Sequence, residues 1–221
     1  MNNRLRISLI GPGDIDFHYY NLLKINKEKF YSELEKIAQA LVDSNVEVEL
    51  LPDKGVSIEI AKIYKQKGGR KVVGAVPKSD STFGINHLKE YIEVKVNDKL
   101  LFDEIIDSGD WFKHDMIKDL LGNAILYLGR SPGTEGERQY AIYLYKLIKG
   151  FKGGVEISGK RIHPEIRAGE RFSILIYTPF LTDGKFPQED ETYARKFGIG
   201  LIYIHNASEL KKFLKEFKSP S

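Results

Sequence analysis

Ala124-Ile125-Leu126-Tyr127-Leu128-Gly129-Arg130-Ser131-Pro132-Gly133-Thr134-Glu135-Gly136-Glu137 is the stretch on which the fold turns. Its first five residues are an unbroken apolar run, the pattern of a strand covered on both faces. Gly129 to Gly133 then break the run. Thr134 stands where a helix N-cap belongs, and Glu137 three residues later completes a capping box. Tyr140, Leu144, Leu147 and Ile148 carry the helix on towards Gly150. A strand, a glycine turn and a helix N-terminus gather free backbone N–H groups and a positive dipole end at one point, where an α/β sheet holds phosphate.

The flanking sequence repeats this alternation. Arg4 to Ile10 reads as a first strand, ended by Gly11-Pro12-Gly13. Lys27 to Ser44 carries apolar residues at helical spacing (Phe30, Leu34, Ile37, Ala38, Leu41). Val46 to Leu51 is a second strand, and a helix follows from Lys54 or Gly55 to Gly68-Gly69. Lys71 to Val76 is a third strand, and Tyr91 to Val96 alternates like a short one. Trp111 to Leu121 reads as a helix leading into the central strand. Beyond a Gly153-Gly154 joint, Val155 to Arg171 suggests a hairpin. Phe172–Tyr177 and Gly200–Ile204 read as strands, with helix starting near Glu189 between them and a last helix over Ala207–Phe217. The expected class is α/β: a Rossmann-like, doubly wound, mostly parallel sheet with helices on both faces. The expected organisation is one domain over residues 1–221, with a core at 4–150 and a strand-helix extension at 151–221.

Composition narrows the function. The 221 residues are 42% hydrophobic and 29% charged, and they carry a formal net charge of +3. Cysteine is absent, which excludes disulfides and thiolate metal sites. No apolar run reaches the roughly 20 residues of a membrane span, and no signal-peptide pattern opens the chain, so a cytoplasmic location and no membrane partner are expected. Abundant Lys, Glu and Ile with no Cys suit a thermophile. Basic residues lie among acidic ones and form no stripe, which argues against nucleic acid. Asp14, Asp16, His18 and Tyr19 share one loop, where capping and solvation explain them better than a metal does. The first turn also lacks the three-glycine NAD fingerprint, so no cofactor and no metal are expected.

The order of motifs resembles the SLOG superfamily of Rossmann-like proteins, most closely the small LOG-like (lysine-decarboxylase-like) phosphoribohydrolases. That superfamily also includes the DNA-processing protein A. The second half of the family motif, Pro-Gly-Gly-x-Gly-Thr-x-x-Glu, stands intact as Gly133-Thr134-Glu135-Gly136-Glu137. Gly129, Arg130 and Ser131 replace its first half. Gly68 to Pro77 resembles the family's helix end and third strand, and Asp80, Asn86 and Tyr91 follow as in that subgroup. The likeness covers about residues 4 to 150. The family's Arg-Lys pair before the central strand is missing, and Trp111, Lys113, His114 and Asp115 occupy that neighbourhood.

The resemblance implies binding of a nucleotide or phosphorylated small molecule, a homodimer, and hydrolysis of a nucleoside 5′-monophosphate at its N-glycosidic bond. Gly11, Gly13, Gly129, Arg130, Ser131, Gly133, Thr134, Glu135 and Gly136 are the expected phosphate and ligand contacts. Glu137 would steady the sugar and water, with His114 or Lys113 assisting the leaving base. A capping role explains Glu137 equally well. A ligand sensor without turnover is the alternative, and a nucleic-acid binder the more distant one. Tyr140, Tyr143 and Leu147 form a candidate dimer face that core packing also explains.

Overall fold

The computed structural model describes residues 5–82, 84–112, 114, 118–148, 155–157, 160–162 and 172–217. Seven parallel strands form its central sheet. The first three are β1 (Arg6–Ile10), β2 (Glu47–Leu50) and β3 (Val72–Val76), separated by α1 (Lys27–Asp43) and α2 (Val56–Gln66). After α3 (Ile85–Ile92), the two-residue strands β4 (Lys95–Val96) and β5 (Lys99–Leu100) make a small hairpin outside the sheet. The sheet resumes with β6 (Glu104–Asp107) and β7 (Ala124–Tyr127), and α4 (Pro132–Ile148) follows. A second hairpin, β8 (Val155–Ile157) and β9 (Lys160–Ile162), precedes β10 (Ser173–Tyr177). Then come α5 (Gln188–Phe197), β11 (Gly200–Ile204) and α6 (Ala207–Phe217).

The spatial order is β11-β10-β7-β1-β2-β3-β6. The chain builds outward from β1 to β6, returns to lay β7 against the other side of β1, and builds outward again. The carboxyl ends of β1 and β7 therefore flank the point where strand order reverses, which is where open α/β sheets bind ligands. The expected doubly wound fold is what forms.

Alternation along each strand divides the interior in two. Ile7, Leu9, Val48, Leu50 and Leu126 point to one side and pack with α1, α2 and α6 residues such as Leu34, Ile60 and Leu210. Ile10, Ile125, Tyr127, Ile174 and Ile176 point to the other, against Ala141, Ile142 and Tyr145 of α4 and Ala194 of α5. β10 pairs with β7 over four residues, so residues 173–204 extend the same sheet that β1 begins.

Three local expectations need correcting. Tyr91 and Ile92 close helix α3, and the strand is only Lys95–Val96. Asn97 and Asp98 both take positive φ, and that turn chemistry folds the chain back after two residues. Residues 16–22 form a π-helical segment and not an open loop. Asp14 caps its Phe17 N–H at 2.9 Å, and Leu23 N–H donates to the His18 carbonyl at 3.0 Å. In the expected Trp111–Leu121 helix, Trp111, Phe112 and His114 are helical, but Lys118–Leu120 is a 3-10 turn. The edge strand β6 had no sequence signal, because Glu104-Ile105-Ile106-Asp107 is short and flanked by charge.

Candidate functional site

The corner after β7 starts its helix earlier than the capping box suggests. Ser131, not Thr134, is the N-cap: its hydroxyl accepts from the Thr134 N–H at 3.2 Å and lies 2.8 Å from the Thr134 hydroxyl. Pro132 takes the first helical position, where a missing N–H costs nothing. Glu137 is thereby released from capping, and its carboxylate pairs with the ammonium of Lys118 at 3.1 Å.

That pair borders a cavity of about 240 Å³ at the switch point. Its walls are the ends of β1 with Gly11 and Gly13, the segment after β2 (Leu51, Asp53, Lys54, Ser57), Trp111, Lys118, and the first turns of α4 (Ser131, Gly133, Thr134, Glu137). Gly133 is open, since a Cβ there would meet no atom within 4 Å, and so is Gly136. Gly129 is different. Its φ of +140° and the 2.7 Å from an added Cβ to His18 Nε2 make it a turn packed on the protein itself, and it does not line the cavity.

Beneath the cavity lies a buried charged cluster. Lys118 is 1% exposed and donates to Asp119 at 2.7 Å. Burial opposes its charge, but the carboxylates of Asp119 and Glu137 outweigh burial and raise its pKa. Glu49, on the same face of the sheet as Ser8, is fully buried, and both its oxygens lack a hydrogen-bond partner among the described residues. Burial pushes its carboxyl up to about 8.

The other expected residues separate from this group. Arg130 is half exposed, lines no part of the cavity, and leans towards Glu135 at 3.7 Å. Glu135 itself accepts from the Tyr127 hydroxyl and, at 2.7 Å, from Arg138. Burial disfavours its charge, but these bonds prevail and hold its carboxyl below the usual range. Expected contacts at Glu135 and Arg130 are therefore committed to each other and to Arg138, because that face of α4 points away from the crevice. His114 is fully buried. Its Nδ1 lies 2.7 Å from the Ser108 hydroxyl, and burial, then the Lys118 charge, drive its pKa well below 6.5. It is a neutral imidazole behind Trp111, not an acid facing the cavity. Lys113 lies outside the described residues.

Sequence reading missed Lys118, Asp119, Glu49 and Arg138. Arg138 could have been paired with Glu135 from their spacing of three, but such a pair ordinarily marks a solvated helix face. Here it is buried, bridging also to Asp190 at 2.8 Å and lying 4.4 Å over Phe186. The expectation for Asp14, Asp16 and His18 was capping and solvation. Asp14 does cap, while His18 is buried with Nε2 3.3 Å from the Phe180 carbonyl. Among the described residues no group of three His, Asp or Glu side chains could hold a metal ion, and no helix is long and apolar enough to cross a membrane.

No protein-family model matches the sequence, and no curated protein matches it. Solved structures do. The Moco carrier protein of Chlamydomonas reinhardtii is 16% identical, with a TM-score of 0.56 over 97% of each chain. The molybdenum cofactor binding protein of the phototrophic bacterium Rippkaea orientalis is 12% identical, with a TM-score of 0.55 over 99% of this chain and all of the other. At such identities the fold is what is shared. The chain shares with them a Rossmann-like α/β fold.

Proposed function

We propose that the chain is a binding protein for a phosphorylated small molecule of the nucleotide class, held in the crevice between β1 and β7. The observation that carries this reading is the convergence of the α4 N-terminus, open at Gly133, and Lys54 on one cavity at the switch point. Charge supports the division of labour. Lys54 and Lys118 face Asp53 and Glu137 there, so the lining is close to neutral. Backbone amides with Lys54 would take the phosphate, and the carboxylates would take sugar hydroxyls. The molybdenum-cofactor proteins that share the fold put that cofactor in the panel of ligands to test.

Hydrolysis of an N-glycosidic bond is the second reading, and Glu137 in the cavity wall is its support. Its carboxylate is already paired with Lys118, which suits positioning better than proton transfer. A homodimer through α4 is part of the proposal, since Tyr140, Tyr143 and Leu147 are each nearly half exposed. So is a single unit spanning 1–221 without a nucleic-acid partner.

The openness of Gly133 supplies the test. An added Cβ at Gly133 meets no atom within 4 Å, so Gly133→Val starts its side chain in open space and should block ligand while sparing the fold. AMP should raise the parent's melting temperature, as any ligand of the native state must. The variant should melt near the parent without ligand and bind AMP at least about tenfold more weakly, a loss of about 1.4 kcal/mol. Equal affinity in the two would remove the site. Release of free base from AMP, absent in Glu137→Gln, would favour the second reading.

A further inference from the structure

Ser8 of β1 and Glu49 of β2 are register partners, and two residues further on Ile10 and Leu51 line the cavity. Side chains two apart on a strand share a face and stand about 7 Å from each other, so Glu49 lies one pleat beneath the crevice. The Ser8 hydroxyl donates to the Asp119 carbonyl at 3.2 Å, which ties the Lys118–Leu120 turn down over the same place. Glu49 is fully buried, and neither of its carboxyl oxygens has a hydrogen-bond partner among the described residues. The charges that face it come from three elements: Arg6 of β1, Glu104 of β6, and Lys118 with Asp119 before β7. All of them are engaged elsewhere. Arg6 pairs with Glu47 at 3.1 Å, and Glu104 pairs with Lys71 at 2.6 Å. Lys118 holds Asp119 at 2.7 Å and Glu137 at 3.1 Å. A buried carboxyl with no hydrogen bond, whose facing cations already have carboxylates, keeps its proton.

We infer that Glu49 sets the charge beneath the crevice, and that the crevice accepts an anion well while Glu49 is a neutral acid and poorly once it ionises. This rests on the phosphate reading above and adds the regulation of that site. The argument is a count of charges around Lys118, which lines the cavity with Glu137. With Glu49 protonated, one ammonium faces two carboxylates; with Glu49 ionised, it faces three. The extra charge is buried, so salt screens it little. At about 10 Å and an effective dielectric of about 20, a unit charge changes the binding of an anion roughly tenfold. Linkage makes the effect reciprocal: an anion entering the crevice draws a proton onto Glu49. Burial raises the Glu49 carboxyl to about 8, which places the change at mildly alkaline pH, above the range in which a phosphate monoester itself titrates.

The full chain would be titrated with AMP by calorimetry from about pH 7 to about pH 9.5 at one ionic strength. The parent's affinity should fall about three- to tenfold across that range. Glu49→Gln carries no charge at any pH, so it should match the parent near pH 7 and keep that affinity at the alkaline end, where it becomes the tighter binder. A second measurement needs no variant and so does not depend on how the glutamine folds. Titration of the parent near pH 8.5, in two buffers of different protonation enthalpy, should show a fraction of a proton taken up per AMP bound, and close to none near pH 7. The same decline in parent and Glu49→Gln overturns the inference. So does the absence of proton uptake near pH 8.5, and either result leaves the crevice standing as an AMP site. If AMP fails to bind the parent near pH 7, the reading of the crevice falls, and its regulation with it.

Discussion

Glu135 and Glu137 sit two residues apart on one helix and live in different worlds. Glu135 faces α5, where it holds Tyr127 and Arg138, and Arg138 continues to Asp190. Glu137 faces the crevice, where its partner Lys118 borders open space. Two residues on a helix are about 200° apart, so a single motif serves two opposite sides of α4. On the far face the charges are packed and mutually satisfied apart from two guanidinium nitrogens. On the crevice face, Glu49, Asp119 and His114 each leave a buried polar atom without a partner among the described residues. Structure accumulates on one side, and unspent polar capacity on the other.

Removing the cation of the structural face should have the largest effect. Arg138→Met leaves Glu135 and Asp190 facing each other across an apolar gap. Breaking a buried ion pair costs roughly 3 kcal/mol, here at the low end because each carboxylate is about a fifth exposed. For a chain this long the melting temperature should fall by roughly 6 to 12 °C. AMP affinity, measured below that temperature, should stay within about threefold of the parent's if the two faces are independent. A loss of binding as large as that of Gly133→Val would join the two networks into one.

A pH series sharpens the comparison from the crevice side. The Glu49 carboxyl, pushed to about 8 in the fold from an ordinary 4.5, keeps a proton that the unfolded chain releases. Between those values the folded state binds more protons, so this group's contribution to stability declines as pH rises and levels off above about 8. The decline is at most about 1.4 kcal/mol per pH unit. Glu49→Gln removes it. Chemical denaturation from pH 5 to 8 should show stability falling less steeply in the variant than in the parent. Parallel slopes would mean that Glu49 is ionised throughout and finds its compensation in Lys118.

The residues that sequence made legible are those whose partners are near in the chain. The buried run of β7, the 3.6-residue rhythm of α1 and the exact spans of β11 and α6 follow from local periodicity, and together they dictated the doubly wound sheet. Gly11, Gly13, Ser131, Gly133, Thr134 and Glu137 come together because strand order brings two glycine turns to one edge. The helix start was misplaced because Gly-Thr-x-x-Glu reads as a capping box, although Ser131-Pro132 carries the stronger signal of a cap followed by proline. Lys118 and Arg138 were invisible for another reason. Each looks like a solvated helix cation until tertiary contacts, 19 residues away to Glu137 and 52 to Asp190, bury it.

The smallest predicted effect isolates the two glutamates themselves. Glu135→Gln keeps the side chain's size but removes the charge that holds Arg138. Asp190 remains, so the cost should be about 1 to 2 kcal/mol. Glu137→Gln removes one of two carboxylates from the buried Lys118, but Asp119 retains the ammonium and the amide oxygen can still accept from it, so the cost should be about 1 kcal/mol. Ligand binding should rank them the other way. A glutamine at 137 alters a group in the cavity wall and should weaken AMP binding severalfold, since a charge-assisted contact to a sugar hydroxyl becomes a neutral one. A glutamine at 135 touches nothing in the cavity and should leave affinity as it was. Thermal melts and AMP titrations on the two variants, run side by side, give four numbers. If Glu135→Gln weakens binding as much as Glu137→Gln does, the division of the helix into a structural face and a binding face is wrong, and the motif acts as one network.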